Sequence, residues 1–204
     1  MGATQEFTSG YGRGLTAAAA AIGLIALAAV TVDDGALEAL RVVPLVGLVV
    51  VVVWAMFWRP GVEVSDGEVV VRNVLSTVRI PWPTYRGVEY GWSLVVRTTD
   101  GDVTVFAAPR ASSTARLVRR GRDAAGSTVV PPAGAPVRSL QATAQSVGAA
   151  IEARHDALVG AGYLDGAERV RVDQGLRPAR QVHVATVGAV VVLAALAVAV
   201  LVTG

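Results

Sequence analysis

Few side chains in this sequence are arranged for chemistry. There is no cysteine, which removes structural disulfides, thiolate metal sites and cysteine nucleophiles. The two histidines, His155 and His183, are far apart in the chain and neither has metal-ligand spacing around it, so each reads as structural or solvent-facing. Ser112, Ser113 and Thr114 have no base beside them and read as a helix cap rather than as nucleophiles. The run Gly10-Tyr-Gly-Arg-Gly14 has the glycine content of a phosphate loop but not its setting. No strand is expected before it and a long apolar stretch follows, so it reads as a flexible lead-in to a helix. On these residues we expect a noncatalytic protein with no cofactor and no bound metal.

What remains for recognition is arginine and tryptophan. Arg72, Arg79 and Arg86 are candidates for a basic face, weighed against solvated arginines beside an anionic membrane. Trp82 stands between Pro81 and Pro83, which cannot continue a central strand. It is either an exposed aromatic anchor or a plug in the core at a strand bend, and the core reading is preferred. Trp92, after Gly91, is treated in the same way. Together Arg72, Arg79, Trp82 and Arg86 are the candidate interaction surface. All 18 basic residues are arginine, with 16 acids among them, and the formal net charge is only +2, so nucleic acid is not an expected partner. The absence of lysine and the abundance of Ala, Val and Gly match the codon bias of a high-GC bacterium.

The elements that must position these residues begin with three apolar stretches. Gly14 to Val32 carries no charge over 19 residues and Val42 to Trp58 none over 17, while Val182 to Gly204 has only His183, Thr186 and Thr203 as polar residues. At about 1.5 Å per residue, stretches of this kind cross a hydrocarbon layer roughly 30 Å thick. Trp54, Trp58 and Arg59 close the second stretch, and Arg177 and Arg180 precede the third, as boundary anchors do. Pro44 is placed in the first turn of the second helix, where a missing N–H costs little. Ala26-Leu27-Ala28 resembles a signal-peptide cleavage site, but the segment before it is poorly basic and a second apolar stretch follows. A retained helical hairpin therefore fits better. Arginines flank the spans on one side and Asp33, Asp34 and Glu38 lie in the connector. This pattern places the N-terminus and residues 59–181 in the cytoplasm, in a multi-pass protein of the cell (inner) membrane. Apart from His183 the spans carry no ionisable group to line a transport route, and Gly23, Gly47 and Gly188 are available for close helix contact.

Between the second and third spans the pattern is first β and then α. Val62 and Val64, Glu68 to Val74, Val78 to Pro81, Val88 to Tyr90, Ser93 to Thr98 and Asp102 to Ala107 read as strands of an antiparallel meander. Ser65-Asp66-Gly67 and Asp100-Gly101 read as turns in which glycine takes positive φ. A short helix capped by Ser112 or Ser113 is expected to reach Arg120, followed by an irregular insertion near 121–138. A longer helix runs from about Ser139 to Val159, with Leu140, Val147, Ile151 and Leu158 on one stripe and Glu152, Arg154 and Asp156 mostly off it. Gly160 and Gly162 end it, and residues 166–181 read as a linker.

The run Val62-Glu-Val-Ser-Asp-Gly-Glu-Val-Val-Val-Arg-Asn-Val74, then Val78-Arg-Ile-Pro-Trp82, the Asp100-Gly101 hairpin and the ending Leu158-Val-Gly-Ala-Gly-Tyr-Leu-Asp165 resemble the actinobacterial membrane-anchored bacterial PH-domain proteins, over about residues 40–165. The resemblance implies a membrane-anchored α+β protein. Residues 1–13 are a cytoplasmic N-terminus and 14–58 a transmembrane helical hairpin. Residues 59–165 form a cytoplasmic PH-like antiparallel β domain with a C-terminal helix, and 182–204 form a third transmembrane helix. It implies a binding module for lipid or protein, without naming the ligand. Glu63, Asp66 and Glu68 around the first hairpin oppose a phosphoinositide headgroup. The expected function is a noncatalytic interaction or scaffold module on the cytoplasmic face. Its partner would be a membrane or envelope protein or an anionic lipid surface. The alternative is an accessory subunit of a transport or envelope-biosynthesis complex whose spans carry the contacts.

Overall fold

A computed structural model describes residues 3–8, 10–109, 140–141 and 143–203. The expected cap at Ser112 to Thr114, the helix to Arg120 and the insertion at 121–138 lie outside the described residues. The chain divides into two compact units. One holds Met1–Thr8, Gly61–Asn73 and Thr77–Gln181, and the other Ser9–Pro60, Val74–Ser76 and Val182–Gly204.

The second unit is helical: α1 (Gly10–Asp33), α2 (Ala36–Phe57) and α5 (Val184–Thr203). All three are long and apolar enough to cross a membrane. Ile22, Leu24, Val32, Val191 and Leu201 are among the large apolar side chains left exposed along them, surface that water would not tolerate on this scale. Helix α2 is longer than its charge-free run. It gains a turn and a half at its start, where Arg41 donates to Glu38 at 2.6 Å, and its 22 residues span about 33 Å. Pro44 consequently lies inside the helix and not in its first turn. The donor it removes is tolerated because the surrounding apolar helix leaves the backbone no better alternative. Only Asp34 and Gly35 separate α1 from α2, with Gly35 at φ 88°.

Helix α2 packs against both α1 and α5. A Cβ on Gly23 would come within 2.7 Å of the Val46 side chain, so this glycine does permit close approach. Gly47 is in ordinary contact distance of Leu193, at 3.5 Å, and nothing lies within 4 Å of a Cβ on Gly188. The tightest approach involves Gly12, where an added Cβ would collide with the backbone carbonyl of Phe57.

The first unit contains the strands. Its larger sheet has the order β8-β1-β2-β3-β4-β9, from β1 (Gln5–Thr8), β2 (Gly61–Val64), β3 (Glu68–Arg72), β4 (Ser76–Pro81), β8 (Leu140–Gln141) and β9 (Ala179–Val182). Its smaller sheet is β5 (Tyr85–Tyr90), β6 (Ser93–Thr98) and β7 (Gly101–Pro109), all antiparallel. The six strands read from the valine pattern are present. Strands β1, β8 and β9 are additions: β1 pairs antiparallel with β2, from Gln5↔Val64 to Thr8↔Gly61, and parallel with β8. Four antiparallel strands thus face three more, and the helical hairpin is an insertion between two neighbouring strands.

Helix α3 (Ala144–Gly160) covers the core with Ala144, Val147, Ile151 and Leu158, alongside Phe7, Val62, Val64, Val69, Ile80, Leu94 and Val105. It starts later than the expected Ser139, because Thr143 caps it reciprocally with Ser146 while Leu140 belongs to β8. It stops on a left-handed Gly162, with the Tyr163 N–H on the Leu158 carbonyl at 2.9 Å and the Gly162 N–H on the Val159 carbonyl at 3.0 Å. Residues 166–181 are more than a linker, since they form helix α4 (Ala167–Asp173) and β9.

Candidate functional site

The arginines singled out for a basic face each meet a carboxylate. Arg72, at the end of β3, donates to Glu63 at 2.7 Å and to Glu6 at 3.1 Å. Register explains both contacts: Glu63 is on the neighbouring β2, and Glu6 opposite Glu63 on β1. Arg79 on β4 donates to Glu68 on β3 at 2.7 Å, and Arg86 on β5 donates to Glu168 on α4 at 2.8 Å. Two guanidinium partners, Arg171 first and then Arg86, hold the Glu168 carboxyl at a pKa of about 2. The three arginines are therefore spread over separate acid pairs and carry little free positive charge.

Trp82 is not an exposed anchor. It opens the 3₁₀ turn Trp82–Thr84, is 3% exposed, and donates its indole N–H to the Ser65 carbonyl at 3.0 Å. Its ring meets Tyr85 edge-on at 5.5 Å and His155 at 6.0 Å, while Tyr85 and His155 are 4.9 Å apart. Burial, then the charges of Glu152, Tyr90 and Asp156, push the Tyr85 hydroxyl up to about 12. Tyr90 donates to Glu152 at 3.0 Å and is also raised, chiefly by burial. Among the described residues no group of histidines and acids could hold a metal ion. Trp92 departs from its expected core placement. It sits in the β5–β6 turn and is 92% exposed, because a two-residue turn has no interior to offer it.

Three features went unread in the sequence. Arg154, assigned to the solvent side of its helix, is only 11% exposed at its side chain and donates to Asp66 in the β2–β3 turn and to the Ala3 carbonyl. That turn uses side-chain chemistry rather than glycine strain: the Glu68 N–H is held by Ser65 Oγ at 3.2 Å, and Gly67 does not take positive φ, whereas Gly101 does, at 125°. Asn73 acts as a peptide surrogate at the meeting of the two sheets. Its amide donates to the Thr104 carbonyl at 2.7 Å and accepts from the Phe106 N–H at 2.9 Å. Beside Arg154 lies a groove of about 380 Å³, lined by Gln5 of β1 and by Ala150, Ala157 and Tyr163. The glycine run at 10–14 lies in the first turns of α1, and β1, a strand not expected from the sequence, precedes it.

In the helical unit the boundary residues converge. The Arg59 guanidinium lies 5.2 Å from the Trp54 ring and also donates to the Thr186 hydroxyl of α5, while Arg13 lies 5.8 Å from the Trp58 ring. His183 Nδ1 is 3.4 Å from the Val74 carbonyl, and its backbone N–H donates to the Leu75 carbonyl at 2.9 Å. Arg177 and Arg180 are exposed just before β9 and within it. No protein family, curated protein or solved structure matches the chain. The chain is a membrane protein. Its three apolar helices carry that statement on their own length and composition.

Proposed function

We propose that the chain is a noncatalytic, membrane-anchored interaction or scaffold module whose strand-rich unit is a PH-like domain on the cytoplasmic face of the inner membrane. The observation that supports this most is the insertion of the helical hairpin between β1 and β2. Chain order alone puts the α1–α2 hairpin between two adjacent strands of one sheet. The domain is thereby tethered at β1, at β2 and again at β9 before α5. The PH-like resemblance implies a bent antiparallel sheet closed at one end by a C-terminal helix, and the antiparallel strands with α3 over their core are compatible with that layout. Among the described residues Arg13 and Arg59, which lie outside the acid pairs, stand at span ends, in keeping with a cytoplasmic side.

The test is in-membrane crosslinking followed by mass spectrometry, comparing the full chain with one lacking residues 60–165. A partner lost with the domain supports a binding module. A partner retained without it overturns that reading and favours an accessory subunit working through its spans. A topology reporter fused within the Gly121 to Pro136 stretch should be active on the cytoplasmic side, and activity only on the outer face would refute the orientation.

A further inference from the structure

We propose that one end of the three-helix unit is a binding site for the phosphodiester of an anionic glycerophospholipid, built from Arg13, Trp54, Trp58, Arg59 and Thr186. This rests on the reading that the three helices cross a bilayer and deepens it by naming a ligand. Each helix contributes: Arg13 from α1, Trp54 from α2 with Trp58 as its cap and Arg59 just beyond, and Thr186 from the first turn of α5. The close approach at Gly12 brings the start of α1 against Phe57, which places Arg13 beside Trp58.

Charge and ring contacts together set these residues apart: among the described residues Arg169, Arg177 and Arg180 also lie outside the acid pairs, but only Arg13 and Arg59 lie over tryptophan rings. Arg41, Arg72, Arg79, Arg86, Arg97, Arg154 and Arg171 all pair with a carboxylate. Among the described residues neither Arg13 nor Arg59 does, and both stand at the carbonyl end of α2, whose dipole favours cations. Trp54 and Trp58 are one turn apart on the same face of α2, so the two guanidiniums rest on neighbouring rings. Among the described residues Arg59 donates from its side chain to Thr186, which uses one of the five donors that a guanidinium carries. Two guanidiniums over aromatic rings at a membrane boundary offer the forked donors that recognise a phosphate oxygen pair. A soluble phosphate has the same chemistry, but tryptophans flanking apolar helices favour a ligand that also has acyl chains.

The experiment uses the full-length protein in nanodiscs and detergent, with native mass spectrometry and thermal unfolding as readouts. Phosphatidylglycerol should bind more tightly and raise the melting temperature more than phosphatidylcholine, whose own choline cation offsets the charge of its phosphodiester. The double substitution R13Q/R59Q should weaken that binding about thirtyfold, at roughly 1 kcal/mol per arginine near the surface. R59K, which keeps the charge but not the fork, should fall between, and R97Q, which breaks only the Glu89 pair, should bind as the native chain does. Circular dichroism checks that each variant retains its helix content. Equal binding of the two lipids, unchanged binding by R13Q/R59Q, or equal protection by inorganic phosphate would each overturn the lipid site. The interaction-module reading is judged by the crosslinking experiment and stands or falls separately.

Discussion

At the scale of single residues, environment decides what each titratable group contributes. Tyr85 is neutral in the fold up to about pH 12, against 10.0 for the free side chain, because burial penalises its anion. A raised pKa of this kind contributes stability that is fully present below pH 10 and is lost as pH rises toward 12. Tyr85→Phe should therefore flatten the alkaline limb of a stability–pH curve, measured by thermal melts, while leaving neutral pH nearly unchanged. Glu168 has the opposite sign. Its depressed carboxyl favours the fold above about pH 4.5 and loses that effect as pH falls toward 2. The Arg154–Asp66 pair is less open to water, so Arg154→Ala should cost about 2 kcal/mol and Asp66→Asn less, read from denaturant midpoints.

At the scale of elements, glycines of the same type do different work. Gly12→Ala must push α1 off the Phe57 backbone, which cannot yield as a flexible side chain would, and should cost about 1–3 kcal/mol in thermal unfolding. Gly188→Ala meets open space and gains helix propensity, so it should be neutral or stabilising by up to about 1 kcal/mol. The reversed ranking would show that the α1–α2 contact is not the tight one. Helix α3 likewise shows how local signals govern element ends. Within the ending Leu158 to Asp165 that carries part of the PH-domain resemblance, Gly162 and Tyr163 form a helix stop, so its chemistry serves the fold whatever the ancestry.

At the scale of the whole molecule, the strand ahead of the first span makes the N-terminus part of the domain. Phe7 is 1% exposed among Val62, Val64 and their neighbours, so Phe7→Ala should destabilise the strand-rich unit by about 3 kcal/mol. That effect would be seen as earlier protease cleavage within 61–109 with the helical unit intact. No protection difference would indicate that β1 is dispensable and that the tether begins only at β2.

The three apolar helices were legible because membrane insertion depends on one-dimensional quantities, length and charge-free composition, which survive without any knowledge of neighbours. The strands from β2 to β7 were legible for a similar reason, since alternating valines and glycine turns are local. The four-residue β1 was not, because a segment of one apolar and three polar residues becomes a strand only beside Gly61–Val64, which follows it by more than fifty positions. Likewise, sequence named Trp54, Trp58 and Arg59 as boundary residues from their types alone. Only the tertiary structure set Arg13 and Thr186 beside them and bound Arg72, Arg79 and Arg86 to acids, because pairing depends on distances in space that no spacing along the chain encodes.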